Sequence, residues 1–119
     1  MKRTKDELHE LLRDHLKGVE YTEKKMFGGL GVFINGNMFT GTDQKHLFVR
    51  LSYEDREEAL SQDGITVFAP RKGMVMREYV VLTDSAIDTK MKSLIQKSIS
   101  YVSALPPKEA NKKMKKKVT

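Results

Sequence analysis

Hydrophobic positions recur at helical spacing near the two ends of the sequence. The first stripe follows Thr4 and Glu7, whose spacing is typical of a capping box, and it predicts a helix that ends near Gly18. The last stripe follows Thr83 and predicts a long helix that runs to about residue 105, before two prolines. The stripes consist of Leu8, Leu11, Leu12, Leu16 and Val19, and of Ile87, Met91, Leu94, Ile95, Ser98, Ile99 and Val102.

Between these stripes the sequence changes to short apolar runs separated by turn residues. The dipeptide Asn35-Gly36 lies between two such runs, and both residues tolerate the positive φ of a type I′ turn. We therefore expect residues 30–34 and 37–42 to form a β-hairpin. The pattern also predicts strands at residues 23–27, 46–51 and 74–82, a short apolar segment at 65–68, and a short acidic helix capped by Ser52.

The register of the hairpin follows from its two-residue turn. Side chains alternate between the two faces of a strand, so the turn predicts three pairs on one face: Ile34 with Asn37, Val32 with Phe39, and Leu30 with Gly41. The other face then carries Phe33 and Met38.

The connections between neighbouring predicted strands are too short for parallel crossovers, so we expect an antiparallel sheet. The element order predicts an α+β fold, which is a two-layer domain with an antiparallel sheet of about five strands and helices mainly on one face. Residues 1–107 are expected to form this domain. Residues 108–119 lack hydrophobic periodicity and have almost no apolar content, so we expect a disordered lysine-rich tail there.

The sheet face turned away from the helices is the candidate binding surface. Residue alternation places Phe33 and Met38 on this face, and the strand at residues 46–51 adds Phe48 and Arg50. A contiguous apolar patch on a polar surface usually marks a site for a protein partner. The alternative is that the C-terminal helix or the loop at residues 69–73 covers this face.

The net charge of +6 comes mainly from the tail. Residues 108–119 hold six lysines and one glutamate, and removing them from the 22 basic and 16 acidic residues of the chain leaves 16 and 15. The tail therefore predicts weak, sequence-independent contact with nucleic acid, through Lys112, Lys113, Lys115, Lys116 and Lys117. Phe33 and Phe48 with Arg50 and Arg77 would add only a poorly defined single-strand platform. The alternative is a tail that only keeps the protein in solution.

The sequence favours no enzyme chemistry. It has no cysteine, and His9, His15 and His46 are scattered without ligand spacing or a partner acid, so we predict no catalytic residue, metal or cofactor. His15 lies within the first helical stripe and is interpreted as a structural side chain. The glycines at positions 28, 29 and 31 lead into a strand, which is unlike a phosphate-binding loop and favours a bend or bulge between close strands. An unrecognised small enzyme is the last alternative.

The charged N-terminus is followed by no apolar stretch, and no window approaches the roughly 20 apolar residues that a membrane span requires. The absence of cysteine fits a reducing compartment. We therefore expect a cytoplasmic protein that does not enter a membrane.

Several motifs follow one another in a specific order. They are Lys25-Met26-Phe27-Gly28-Gly29-Leu30-Gly31, Asn35-Gly36-Asn37-Met38, Leu47-Phe48-Val49-Arg50-Leu51 before the acidic helix, and a late strand with Tyr79. Together they resemble the N-terminal domain of the TfoX/Sxy competence-regulator family, over about residues 8–105. The resemblance implies a small antiparallel α/β domain and, in the family's regulators, a role in switching on DNA-uptake genes together with the cyclic-AMP receptor protein. The resemblance supplies no catalytic residues. The family's regulators carry a second, C-terminal helical domain, whereas a lysine-rich tail follows Pro107 here, so we expect a stand-alone member.

Residues and resemblance together predict a non-enzymatic regulatory or adaptor domain that acts through protein contacts in the transcriptional regulation of competence-type genes. The expected partner is a protein, either from the transcription machinery or a second copy of the chain. Weak DNA binding is the alternative. No small-molecule substrate is predicted.

Overall fold

The described part of the chain forms a six-stranded sheet with three helices. The computed structural model describes residues 4–26, 28–43, 46–71 and 73–107. Its elements are α1 (Lys5–Asp14), β1 (Thr22–Met26), β2 (Gly29–Ile34), β3 (Asn37–Thr42), β4 (Leu47–Arg50), α2 (Tyr53–Leu60), β5 (Ile65–Arg71), β6 (Met74–Leu82) and α3 (Asp84–Ser103). The strand order is β1-β2-β3-β4-β6-β5, and all neighbouring strands are antiparallel. The predicted α+β fold is confirmed, with six strands in place of about five, because the apolar segment at 65–68 is part of β5.

Capping signals in the sequence set where the first helix begins. The backbone N–H of Thr4 donates to Glu7 Oε1 at 2.7 Å, and the N–H of Glu7 donates to Thr4 Oγ1 at 3.1 Å, so the capping box is confirmed. The predicted end near Gly18 is wrong, since α1 ends at Asp14. The chain leaves the helix through turns that still bury Leu16, and Gly18 adopts a φ of +84°.

The Asn35-Gly36 turn is confirmed, and it joins β2 to β3. Both residues have positive φ, +52° and +81°, and Ile34 pairs with Asn37 as predicted. The other two predicted pairs are wrong, because the register shifts within the hairpin. The observed pairs are Phe33 with Met38, Val32 with Thr40, and Leu30 with Thr42.

A β-bulge at Phe39 causes this shift. Phe39 is an extra residue on β3, and both Phe39 and the following Thr40 are fully buried. The carbonyl oxygen of Phe39 accepts a hydrogen bond from Ser98 Oγ of α3 at 2.9 Å. Thr40 Oγ1 donates to the carbonyl oxygen of Phe48 on β4 at 2.8 Å. The hydroxyl groups of Ser98 and Thr40 thus donate hydrogen bonds to backbone carbonyl oxygens at and beside the bulge.

The main core lies between the helices and one face of the sheet. It contains the buried side chains Leu8, Leu12, Leu16, Leu30, Val32, Ile34, Phe39, Leu47, Val49, Leu51, Ala59, Ile65, Val80, Leu82, Ala86, Ile87, Met91, Leu94, Ile95 and Val102. The end of the described chain is attached to the same layer, since Asn37 Nδ2 donates to the carbonyl oxygen of Pro106 at 3.1 Å. The three helices therefore cover one face of the sheet, and a candidate binding surface lies on the other face.

Candidate protein-docking surface

The sheet face opposite the helices carries a second buried cluster. It consists of Met38, Phe48, Phe68, Tyr79 and Val81, and we call it the second-face cluster. The strand register aligns one residue from each strand across this face, in the order Lys24, Gly31, Gly41, Phe48, Val81 and Thr66. Two adjacent glycines therefore lie in the middle of the row, between an exposed lysine and a buried aromatic ring.

The paired glycines Gly31 and Gly41 make room for the side chains that cover them. A β-carbon on Gly41 would lie 2.6 Å from the ring of Phe48, and one on Gly31 would collide with the sulfur of Met26. The Met38 sulfur would lie 3.2 Å from the same added carbon. The glycines of the β2–β3 hairpin thus allow close packing, which agrees with the predicted close approach and not with a phosphate-binding loop.

Three aromatic rings form the centre of the second-face cluster. The rings of Phe48 and Phe68 are stacked, with centroids 4.4 Å apart and an interplanar angle of 12°. The Tyr79 ring meets them edge-on, at 5.8 Å from Phe48 and 6.2 Å from Phe68. The Tyr79 hydroxyl donates to the carbonyl oxygen of Met38 at 3.0 Å, and burial raises the pKa of Tyr79 to about 12. Tyr79 is therefore a neutral donor inside the cluster.

The four residues of the predicted partner surface do lie together, but the expected exposed patch is not observed. Phe48 is 0% exposed and Met38 is 9% exposed, whereas Phe33 is half-buried and packs against the cluster. The physical reason is the shape of the β5–β6 hairpin, whose register shifts twice after Val67 and brings Phe68 over Phe48. Whether a partner binds at this face stays a prediction.

Arg50, the polar member of that set, is already engaged within the molecule. Its Nε donates to Glu78 Oε1 at 2.6 Å, and its guanidinium carbon lies 5.7 Å from the Tyr101 ring centroid and 6.0 Å from the Tyr79 ring centroid. The Tyr101 hydroxyl also donates to Glu78 Oε1, at 3.4 Å. Arg50 therefore links β4 to β6 and α3 within the molecule.

Three half-exposed side chains border the cluster, and the sequence predicted only one of them, Phe33, on this face. Met26 on β1, Phe33 on β2 and Met76 on β6 pack against the cluster while keeping some exposure, and we call these three residues the methionine rim. Lys24 lies on the same face as Met26 and is exposed. Met26 could have been found by extending the alternation of Phe33 to the paired strand. Met76 could not, because the bulge in β6 breaks that alternation.

The three histidines lie in different parts of the fold, and each has its own neighbour. His9 Nε2 lies 2.7 Å from Thr42 Oγ1, His15 Nδ1 lies 3.0 Å from the carbonyl oxygen of Leu11, and the His46 ring is 47% exposed beside Asp43. Among the residues that the structure describes, no group of three or more metal-binding side chains is present. The bond of His15 to its own helix agrees with its structural interpretation.

Two open clefts lie beside α3. The larger, of about 500 Å³, separates the start of α2 from α3 and is lined by Ser52, Asp55, Ser93, Gln96, Lys97, Ser100 and Tyr101. The smaller, of about 300 Å³, lies between α1 and α3 and is lined by Asp14, His15, Lys92, Ile95 and Gln96. His46, which lies beside Asp43, is in neither of these two clefts.

The predicted nucleic-acid contacts are only partly covered by the structure. Lys112, Lys113, Lys115, Lys116 and Lys117 lie outside the described residues. On the sheet, the Phe48 ring is buried and Arg50 is ion-paired with Glu78, whereas Phe33 is half-buried and Arg77 is exposed. Single-strand binding by these four residues stays a prediction.

The fold and this face define a small antiparallel α+β domain with a half-exposed apolar border on the face that the helices leave uncovered. The profile of the TfoX N-terminal domain matches residues 10–101, and the chain belongs to that family. A search of curated proteins finds no match. No helix within the described ranges is long and apolar enough to cross a membrane.

Proposed function

We propose that this protein is a non-enzymatic regulatory adaptor of the cytoplasm, which acts on competence-type genes by binding a protein of the transcription machinery. The observation that carries the proposal is the methionine rim, a half-exposed apolar border on the sheet face that α1, α2 and α3 leave uncovered. Family membership supports the competence-related regulatory role.

The chemistry of the rim suits a protein partner. Methionine side chains are flexible and polarisable, so they adapt to the shape of an apolar partner surface. The rim also borders a closed aromatic cluster, so a partner would dock onto a rigid support and lose little free energy to ordering it. Because Lys24 is exposed beside Met26, the fitting partner segment combines apolar with acidic side chains.

The test is complementation of a deletion strain in the native organism, with transcripts of DNA-uptake genes as the measurement. The wild-type chain is expected to restore the transcripts, and the double variant Phe33→Lys, Met76→Lys is expected to leave them at the deletion level. The control Lys92→Glu changes an exposed charge on α3 and should restore them.

Melting curves of the purified variants separate lost binding from lost folding, and the milder pair Phe33→Thr, Met76→Gln replaces the lysine pair if the latter unfolds. Full complementation by a folded rim variant would refute the proposed site. Unchanged transcripts in the deletion strain itself would refute the regulatory role.

A second candidate function is weak nucleic-acid binding, supported by the six lysines among residues 108–119. Six phosphate contacts predict a slope of about −5 for log affinity against log salt concentration. Fluorescence anisotropy with a labelled duplex measures this slope for the full chain and for a chain truncated after residue 107. Equal affinities of the two chains would exclude the tail as the binding element.

A further inference from the structure

We propose that two copies of this chain associate through a patch at the α2 end of the molecule. The patch is formed by Tyr53, Glu54 and Glu57 on α2 and by Val67, Val75 and Arg77 on the β5–β6 hairpin, and we call it the α2–hairpin patch. α2 and Val67, the pairing partner of the core residue Val80, lie on the helix side of the sheet, whereas the methionine rim lies on the other face.

The exposed large apolar side chains of the described chain are concentrated here. Tyr53 is 73% exposed, Val75 is 51% exposed and Val67 is 46% exposed. Val67 pairs with Val80, which is fully buried in the main core, so the helix layer ends between these two neighbours. With eight residues, α2 is about 12 Å long and cannot cover the whole of the nine-residue β6, which is about 30 Å long.

The two parts of the patch are neighbours within one molecule. The backbone N–H of Leu51 donates to the carbonyl oxygen of Glu78 at 2.7 Å, which joins the start of α2 to β6. Tyr53 follows Leu51 closely, and Val75 precedes Glu78 on β6 by about 10 Å at the rise of a strand. The exposed tyrosine and the exposed valines therefore face solvent at the same end of the domain.

The charges of the two parts are opposite. α2 carries four carboxylates, Glu54, Asp55, Glu57 and Glu58, against the single cation Arg56. Arg56 pairs with Glu57 at 3.3 Å and Lys97 of α3 pairs with Glu58 at 3.2 Å, so the excess negative charge lies at the start of the helix, at Glu54 and Asp55. The neighbouring stretch of β6 contributes the exposed Arg77, and its acidic residue Glu78 is already paired with Arg50.

A two-fold axis would place the acidic helix of each copy against the cationic hairpin of the other, so one arrangement satisfies both halves at once. This self-complementarity identifies the occupant as a second copy. The edge strand β1 lacks it, because a two-fold antiparallel pairing centred on residues 24–25 would bring lysine side chains of the two copies against each other. Only three large apolar side chains are exposed in the patch, so we expect a reversible dimer.

Analytical ultracentrifugation of the full chain from micromolar to millimolar concentration tests the proposal. The wild type is expected to shift from monomer to dimer, and Val75→Lys and Tyr53→Lys are each expected to weaken dimerisation by roughly tenfold or more. The control Lys24→Glu changes an exposed charge at the opposite edge and should leave the dissociation constant unchanged. Both substituted apolar side chains are exposed, and melting temperatures verify that the variants fold.

A charge exchange tests the two-fold arrangement itself. Arg77→Glu and Glu54→Lys should each weaken the dimer, and the double variant should recover most of the affinity because the pair is re-formed across the axis. Dimerisation of the wild type should also weaken as salt is raised. A wild type that stays monomeric throughout, a dimer that Val75→Lys leaves intact, or a double variant without recovery would overturn the proposal.

Discussion

At Gly41 the sheet has no space for a β-carbon. The nearest atoms to such a carbon are the carbonyl oxygen of Leu30 on the neighbouring strand and the ring of Phe48, at 2.6 Å. At Gly31 the nearest atoms belong to the Met26 and Met38 side chains. A backbone carbonyl cannot move without breaking the strand pairing, whereas methionine side chains can change rotamer.

We therefore predict that Gly41→Ala lowers the free energy of unfolding by about 1–3 kcal/mol, and that Gly31→Ala costs less. Urea denaturation of the two variants measures the difference. If the two substitutions cost the same, the distinction between backbone and side-chain obstruction would be wrong.

His9 connects α1 to β3 through Thr42, which is fully buried. Burial lowers the pKa of His9 below 6.5, and the positive charge of Arg13 lowers it further, while the carboxylates of Asp6 and Glu23 act in the opposite direction. Because the unfolded chain then binds a proton at higher pH than the folded chain does, protonation favours unfolding.

The stability contributed by neutral His9 should be fully present above pH 6.5 and should be lost as the pH falls through the lower pKa of the folded protein. Urea denaturation across this pH range should show the loss in the wild type and a flatter profile in His9→Gln. An unchanged slope in His9→Gln would show that other groups cause the pH dependence.

The sequence predicted those features of single residues that depend only on residues nearby in the chain. The Thr4 and Glu7 capping box and the Asn35-Gly36 turn depend only on adjacent backbone groups, and both are observed. The roles of Gly31 and Gly41 depend on which side chains lie across the sheet. The spacing of residues along the chain does not predict which side chains will lie across the sheet from Gly31 and Gly41.

At the scale of elements, the bulge in β3 depends on α3. The extra residue Phe39 directs a carbonyl oxygen towards the helix, where Ser98 Oγ satisfies it inside the main core. Without that donor a buried carbonyl would lack its partner, which costs about 1–3 kcal/mol. Ser98 lies within an otherwise apolar helical stripe for this reason.

Ser98→Ala is accordingly predicted to lower the free energy of unfolding by about 1–3 kcal/mol. Ser100→Ala on the same helix is the control, because Ser100 is exposed and its loss should change the stability by less than about 0.5 kcal/mol. Thermal and urea denaturation measure both variants. Equal effects would mean that the Ser98 hydroxyl does not support the bulge.

The bulge also explains why the predicted hairpin register is only partly correct. Strict alternation pairs Val32 with Phe39, whereas the structure pairs Val32 with Thr40 so that Phe39 and Thr40 both turn to the helices. An extra residue in a strand leaves no mark in an apolar run, since Phe39 suits either register. Strand identity was therefore predictable and the pairing beyond the turn was not.

At the scale of the whole molecule, part of the sheet face opposite the helices is covered by a side chain of the sheet itself. The β5–β6 hairpin departs from regular pairing after Val67, and Phe68 then stacks on Phe48. The sequence predicted the apolar side chains of this face but not their cover, because the curvature arises from register shifts between strands that are distant from Phe33 and Met38. An open patch and a closed cluster have the same alternation pattern.

Phe68→Ala should therefore open the second-face cluster. We expect a loss of about 3–5 kcal/mol in the free energy of unfolding and increased binding of a dye specific for exposed apolar surface. Val67→Ala, one residue away but 46% exposed, should cost less than about 1 kcal/mol and leave dye binding unchanged. A small loss in Phe68→Ala would mean that the cluster holds together without its cover.

The hydrogen bond from Asn37 to the Pro106 carbonyl oxygen joins two segments that are 69 residues apart in the sequence. The short segment after α3 is thereby held against the β2–β3 hairpin at its Asn35-Gly36 turn. Removing the donor in Asn37→Ala should therefore loosen both the turn and the segment after α3, and faster amide hydrogen exchange in both places would measure this coupling.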